Sequence, residues 1–146
     1  MLTEPSNGHC TFSILNFERQ MSCVADIPVD WLLTCKFGLE HKVPVSLIVA
    51  DHGNEYIVLL LQQNDAVLIK DIENQKTFEC LETNLSDFTE RLIEDIRKYF
   101  TGWVKWYPAK ILGGPDKGRA KTLESLLGDT EKMLTAYKET QNKECE

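Results

Sequence analysis

Between Val43 and Leu81 the apolar residues gather into four short runs, VPVSLIVAD, EYIVLLLQQ, AVLIKDI and KTFECLE. The runs are divided by the polar groups His52-Gly53-Asn54, Asn64-Asp65 and Glu73-Asn74-Gln75. Apolar runs of this length between turn residues are strand signals, and such short turns join antiparallel neighbours. VSLIVA and YIVLLL are nearly continuous in apolar character, which predicts central strands covered on both faces. AVLIKDI and KTFECLE alternate more clearly, which predicts one wetter face.

The flanks extend this sheet. CTFSILNFE alternates, with Cys10, Phe12 and Ile14 on one side and Thr11, Ser13 and Leu15 on the other; MSCVADI follows as the second strand of a hairpin. Pro28 ends that strand and suits the first turn of a helix. In VDWLLTCKFGLEH, Trp31, Leu32, Cys35 and Leu39 recur at helical spacing, Asp30 is the candidate cap, and Gly38 weakens or ends the last turn. Asn84 caps a helix from Leu85 to about Thr101, whose stripe is Leu85, Phe88, Leu92, Ile96 and Tyr99. Asp87 and Glu90 near its start and Arg97 and Lys98 near its end suit the helix dipole, and Gly102 stops it.

Trp103–Tyr107 reads as a strand bent at Pro108, followed by a Gly/Pro loop. Thr122–Asn142 carries Leu123, Leu126, Leu127, Met133, Leu134 and Tyr137 as a helical stripe interrupted by Gly128. That helix fits either its own sheet or a second copy in a homodimer. Residues 1–9 and 143–146 are expected to be flexible. The result is a single α+β domain over residues 1–146. An antiparallel β-meander is covered by two or three helices, in the order β-β-α-β-β-β-β-α-β-α.

Composition narrows the class. A chain of 146 residues buries a core without staples. No apolar run approaches the roughly 18 residues of a membrane span. MLTEPSNGHC lacks the basic start and apolar core of a secretory signal, so a cytoplasmic location is expected. Cys10, Cys23, Cys35, Cys80 and Cys145 show no C-x-x-C spacing. Cys23, Cys35 and Cys80 are expected to be small buried side chains in a reducing compartment, with no metal and no cofactor. The net charge of −7 is uneven, with residues 103–121 at +4 in an otherwise acidic chain. An acidic body disfavours polyanions and steers towards basic partners.

No catalytic motif is legible. In GGPDKGRAKT the glycines match phosphate-loop spacing, but Arg119 and Ala120 stand where lysine and a hydroxyl are needed, so an exposed loop is expected. His9, His41 and His52 are scattered, and an acid–base pair at Asp51 and His52 would need a nucleophile that the sequence does not name. Turn chemistry accounts for Asp51-His52-Gly53-Asn54, and the chain is read as not an enzyme. Asp87, Glu90, Glu94 and Asp95 on the Leu85 helix, with Asp65, Asp71 and Glu73 in turns and at strand ends, are either solvated or a docking surface for a basic protein. The alternative is a grip on single-stranded nucleic acid. There Trp103, Trp106 and Tyr107 would stack on bases while Lys105 and Lys110 follow phosphates. The same aromatics also fit a core strand.

One likeness bears on these alternatives. FSILNFERQMSCVADIPVDW (a hairpin, then proline and tryptophan opening a helix) precedes an antiparallel meander and a helix, and WVKWY closes the order. This pattern over roughly Phe12–Leu112 resembles small immunity proteins of bacterial contact-dependent growth inhibition systems, whose fold is similar to Whirly single-strand DNA-binding domains. The resemblance implies an acidic surface that plugs the active cleft of a partner toxin, often a basic nuclease. It transfers no contact residue, because such surfaces are specific to each toxin. The first helix is shorter and more apolar than in that pattern, and the last thirty or so residues lie outside it. The Whirly-like topology also keeps the nucleic-acid reading open.

Overall fold

In the computed structural model the described residues are 1–62, 65–81, 83–106 and 118–145. Strands β1 (His9–Ile14) and β2 (Phe17–Ser22) form an antiparallel hairpin, followed by helix α1 (Ile27–His41). Strands β3 (Val45–Asp51), β4 (Asn54–Leu60), β5 (Ala66–Asp71) and β6 (Thr77–Leu81) make a four-stranded antiparallel meander in sequence order. Helices α2 (Leu85–Lys98), α3 (Phe100–Lys105) and α4 (Arg119–Glu144) complete the α+β fold. No helix among the described residues is long and apolar enough to cross a membrane.

The meander is sided. Val45, Leu47 and Val49 on β3, Tyr56, Val58 and Leu60 on β4, and Val67 and Ile69 on β5 are all buried on one face. The β1–β2 hairpin packs on that face, with Phe17 edge-on to Tyr56 at 5.3 Å and against Phe78 at 5.4 Å. Helix α1 also packs on β3, while α2 and α4 pack against α1. Among the described residues no element covers the opposite face, and Ile48, Ile57 and Leu68 are 51%, 37% and 36% exposed. The expectation that β3 and β4 are covered on both faces is therefore overturned. Their outward apolar residues alternate strictly with the buried ones, and the helices all lie on the other side.

Phe12 joins the layers, meeting Trp31 of α1 at 5.4 Å, Phe17 at 6.2 Å and Phe88 of α2 at 6.3 Å. The α2 stripe falls as its spacing predicts, with Leu85, Phe88, Leu92 and Ile96 fully buried. Burial of each side chain contributes about 1.5–3 kcal/mol. The Asn84 side chain accepts the Asp87 N–H at 3.0 Å, capping the helix where expected.

Several boundaries differ from the sequence reading. The second strand is Phe17–Ser22, because the hairpin turns at Leu15-Asn16, where Leu15 takes a positive φ of 48°. Asp26, not Asp30, is the N-cap of α1. Its carboxylate makes no cap bond and instead receives both Nη atoms of Arg119 at 2.6 Å. That bidentate pair ties the start of α1 to the start of α4.

The predicted Trp103–Tyr107 strand is helix α3 as far as Lys105, so the described order is ββαββββααα. Trp103 and Trp106 lie three residues apart on one side of that turn, both buried and 5.3 Å ring to ring. Tyr107, Lys110 and the Gly113–Lys117 loop lie outside the described residues.

Both chain ends make contacts with the rest of the fold. Leu2 is 3% exposed, bridges to Phe12, and donates its N–H to Asp95 at 2.7 Å. At the other end α4 continues to Glu144, which pairs with Lys42 at 2.9 Å. Helix α4 packs on α1 and α2 of its own chain.

Gly38 lies inside α1, not at its end; Lys42, with φ 53°, is the left-handed cap. A Cβ on Gly38 would come within 2.5 Å of Val45 Cγ1 and 2.8 Å of Leu85 Cδ2, whereas one on Gly128 in α4 would meet nothing within 4 Å. Gly38→Ala is therefore expected to destabilise the fold by about 1–3 kcal/mol through overpacking. Gly128→Ala is expected to stabilise it by about 0.5–1 kcal/mol through helix propensity alone. Urea unfolding of the two variants checks the opposite signs.

Candidate functional site

Period two sends Ser46, Ile48 and Ala50 of β3 to the open face, with Glu55, Ile57 and Leu59 of β4 beside them. The register sets Leu68 opposite Leu59 and Lys70 opposite Ile57, then Glu79 of β6 opposite Leu68. Ile72 extends the same row, its N–H donating to the Glu55 carbonyl at 3.0 Å. The centre of this face is thus apolar (Ile48, Ile57, Leu59, Leu68, Ile72). Four strands about 4.8 Å apart and about five residues long present roughly 300 Å² in projection. Ser46, Glu55, Lys70, Thr77 and Glu79 take part of that area, and the apolar residues among them form an exposed cluster that is a candidate interaction site.

The rim is acidic. Glu55 and Glu73 line a common shallow depression at the β3–β4 turn end of the sheet. Glu79 is exposed on β6; Asp65, at the opposite end of the sheet, turns to the helix side, where it accepts the Asn84 Nδ2 at 2.9 Å. The cation on this face, Lys70, donates to the Gln75 carbonyl at 2.8 Å.

The remaining acidic candidates are distributed differently. Asp71 is 5% exposed and faces the turn beneath the sheet. Glu90 on α2 pairs with Lys138 of α4 at 2.9 Å, and Asp95 holds the Leu2 N–H. Asp87 lies half-buried in the first turn of α2, and Glu94 lines a small groove between α2 and α4. Glu73 therefore flanks the open sheet face, Asp65 turns towards the N-cap of α2, and the four α2 carboxylates lie on another part of the molecule.

The aromatic–basic segment is not displayed as a platform among its described residues. Trp103 is fully buried, and Trp106 is 3% exposed with its Nε1 donating to the Ala25 carbonyl at 3.0 Å. Base stacking needs a free aromatic face, which neither ring offers. Lys105 is exposed on the lip of a cavity of about 590 Å³ that Pro5, Asn7, Cys23 and Trp106 also line.

At the β3–β4 turn, His9 stands opposite Ser22 across the hairpin and meets the His52 ring at 6.0 Å. His9 Nδ1, Ser22 Oγ and Asp51 Oδ1 are buried and make no hydrogen bond among the described residues. A nucleophile–base–acid relay requires those bonds. Burial pushes the Cys10 and Cys35 thiols up to about 12, which leaves them protonated and inert.

Sequence reasoning missed the sheet face because continuous apolar runs were taken to mean two covered sides. A signal was present. Ser46, Glu55, Lys70, Thr77 and Glu79 all fall on one face once the hairpin registers are drawn.

Asp71 accepts the N–H and Nδ2 of Asn74, both at 3.0 Å, and the N–H of Glu73 at 3.1 Å. The Asn74 bonds foremost, with Glu73 and the Arg19 charge adding to them, hold its carboxyl below the usual Asp range. A depressed carboxyl stabilises the fold above the ordinary Asp value, and that contribution is lost as pH falls through the native value. Asp71→Asn is therefore expected to lower stability near pH 7. The gap from wild type should close below about pH 4, as urea unfolding across that range would read.

No family model matches this chain, and neither a curated protein nor a solved structure matches it.

Proposed function

We propose that this protein is a non-enzymatic acidic binding protein. It docks on a basic partner protein through the open face of the β3–β6 sheet and neutralises that partner by covering its active site. The observation that carries the reading is the face itself. Ile48, Ile57 and Leu68 stay exposed on it, with Glu55, Glu73 and Glu79 beside them. Apolar anchors desolvated at the centre of an interface slow dissociation, while a rim of one charge sign speeds encounter with the opposite sign. The net charge of −7 acts in the same direction at long range. The finer reading, an immunity protein against a nuclease toxin, rests on the order of elements from the hairpin to α2. The tryptophan segment adds nothing to it, being helical.

Ile57→Glu and Leu68→Glu change outward side chains and leave the buried face intact. Either is expected to weaken capture of the partner by roughly 30-fold, equivalent to about 2 kcal/mol. The measurement is affinity capture of basic proteins from the native host by wild type and by each variant, followed by titration of the recovered partner's activity. Equal capture by wild type and both variants would remove the sheet face from the reading.

A further inference from the structure

The open face ends at β3, and the free edge of that strand has a chemistry of its own. The Glu55 carbonyl bonds across to Ile72, so Glu55, Ile57 and Leu59 turn their backbone groups towards β5. Their partners in the β3–β4 register, Ala50, Ile48 and Ser46, therefore turn theirs away from the sheet. No backbone group among the described residues pairs with these three N–H and three C=O groups. An unpaired edge is a template for another strand.

A groove of about 430 Å³ runs along this edge. Ser46, Leu47, Ile48 and Ala50 form one wall, and Val24, Ala25, Ile27, Trp31 and Thr34 form the other wall and floor. It contains two carboxylates, Asp30 on the first turn of α1 and Glu55 on β4, and no lysine or arginine.

We propose that this groove takes an extended, lysine- or arginine-bearing segment of a partner protein, which adds to β3 as a fifth strand. The proposal rests on the docking reading above and specifies its mode. Main-chain bonds to Ser46, Ile48 and Ala50 supply affinity, and alternate side chains supply selectivity. Apolar side chains fill the floor between Ile27 and Leu47, and cations answer Asp30 and Glu55. A second copy of β3 is the poorer occupant. Its sequence, VSLIVAD, has no cation and would bring Asp51 to a groove already holding two acids.

The test uses the full chain and a fluorescent short peptide alternating valine with lysine, with a glutamate-for-lysine peptide as control. Binding should appear with the lysine peptide and be at least roughly tenfold weaker with the glutamate peptide. Amide hydrogen exchange reads the register directly. Ser46, Ile48 and Ala50 are expected to exchange fast in the free protein and to slow at least roughly tenfold when bound, with Val45, Leu47 and Val49 protected in both states. Ser46→Pro removes an outward N–H without breaking a ladder bond and should weaken binding roughly tenfold, while Ser46→Ala binds as wild type. N-methylation of alternate peptide amides should abolish binding with the protein unaltered.

Protection elsewhere, indifference to N-methylation, or concentration-dependent protection of the same amides without peptide (pairing of two copies) would overturn strand addition. If the peptide fails while Ile57→Glu still abolishes partner capture, strand addition falls and face docking stands. If the peptide binds and Ile57→Glu has no effect on capture, the reverse holds.

Discussion

Every helix among the described residues lies on the same side of the β3–β6 sheet, and most of the fold's other properties follow from that. A four-stranded antiparallel sheet needs one face buried, and the hairpin with α1 supplies the cover. Gly38 lets α1 approach closely enough for Val45 and Leu85 to pack against its backbone. With α2 and α4 stacked behind α1, no element among the described residues crosses to the far face, and Ile48, Ile57 and Leu68 are exposed there. The exposed apolar centre and the free β3 edge are two results of this one-sided packing.

The last third of the chain is held by different forces. Arg119 reaches the Asp26 carboxylate with both terminal nitrogens, and its side chain is 9% exposed. A largely desolvated bidentate pair of this kind costs about 3–5 kcal/mol when one partner is removed, because the other charge is left unpaired. The pair joins the N-termini of α1 and α4, and Trp106 reinforces the joint through Ala25. The same joint consumes the two tryptophans that, read along the sequence, looked suited to nucleic acid. The positive island of residues 103–121 therefore contributes a structural arginine and buried aromatic rings before it contributes any surface.

Legibility varied with how many independent signals agreed. Helix α2 was readable because its Asn84 cap, its charge order and its stripe of Leu85, Phe88, Leu92 and Ile96 all point to one element. Trp103–Tyr107 was misread because aromatic residues at positions 103, 106 and 107 fit a strand and a helical turn equally, and only contact with Ala25 and Arg119 chooses between them. The second strand moved because a hairpin turning at Leu15 needs a positive φ that leucine does not advertise. Among the acidic candidates, Asp71 and Asp95 proved to be acceptors for backbone N–H groups, a role that depends on partners 2 and 93 residues away. Asp65 and Glu73 lie at opposite ends of the sheet because turns connecting antiparallel strands must lie there, but only Glu73 reaches the open face.

The sequence by itself determined the α+β class and most of the elements, the turn of helix at Trp103 excepted. Local spacing sets whether a segment makes a helix or a strand, and short polar turns leave only antiparallel neighbours. Tertiary structure alone decided which side of each strand meets protein and which meets water. Alternation records that a strand has two faces, but not how many of them a helix will cover. In VSLIVAD and NEYIVLL both faces are apolar enough to be buried, and the count of helices available on each side made one a core and the other a surface.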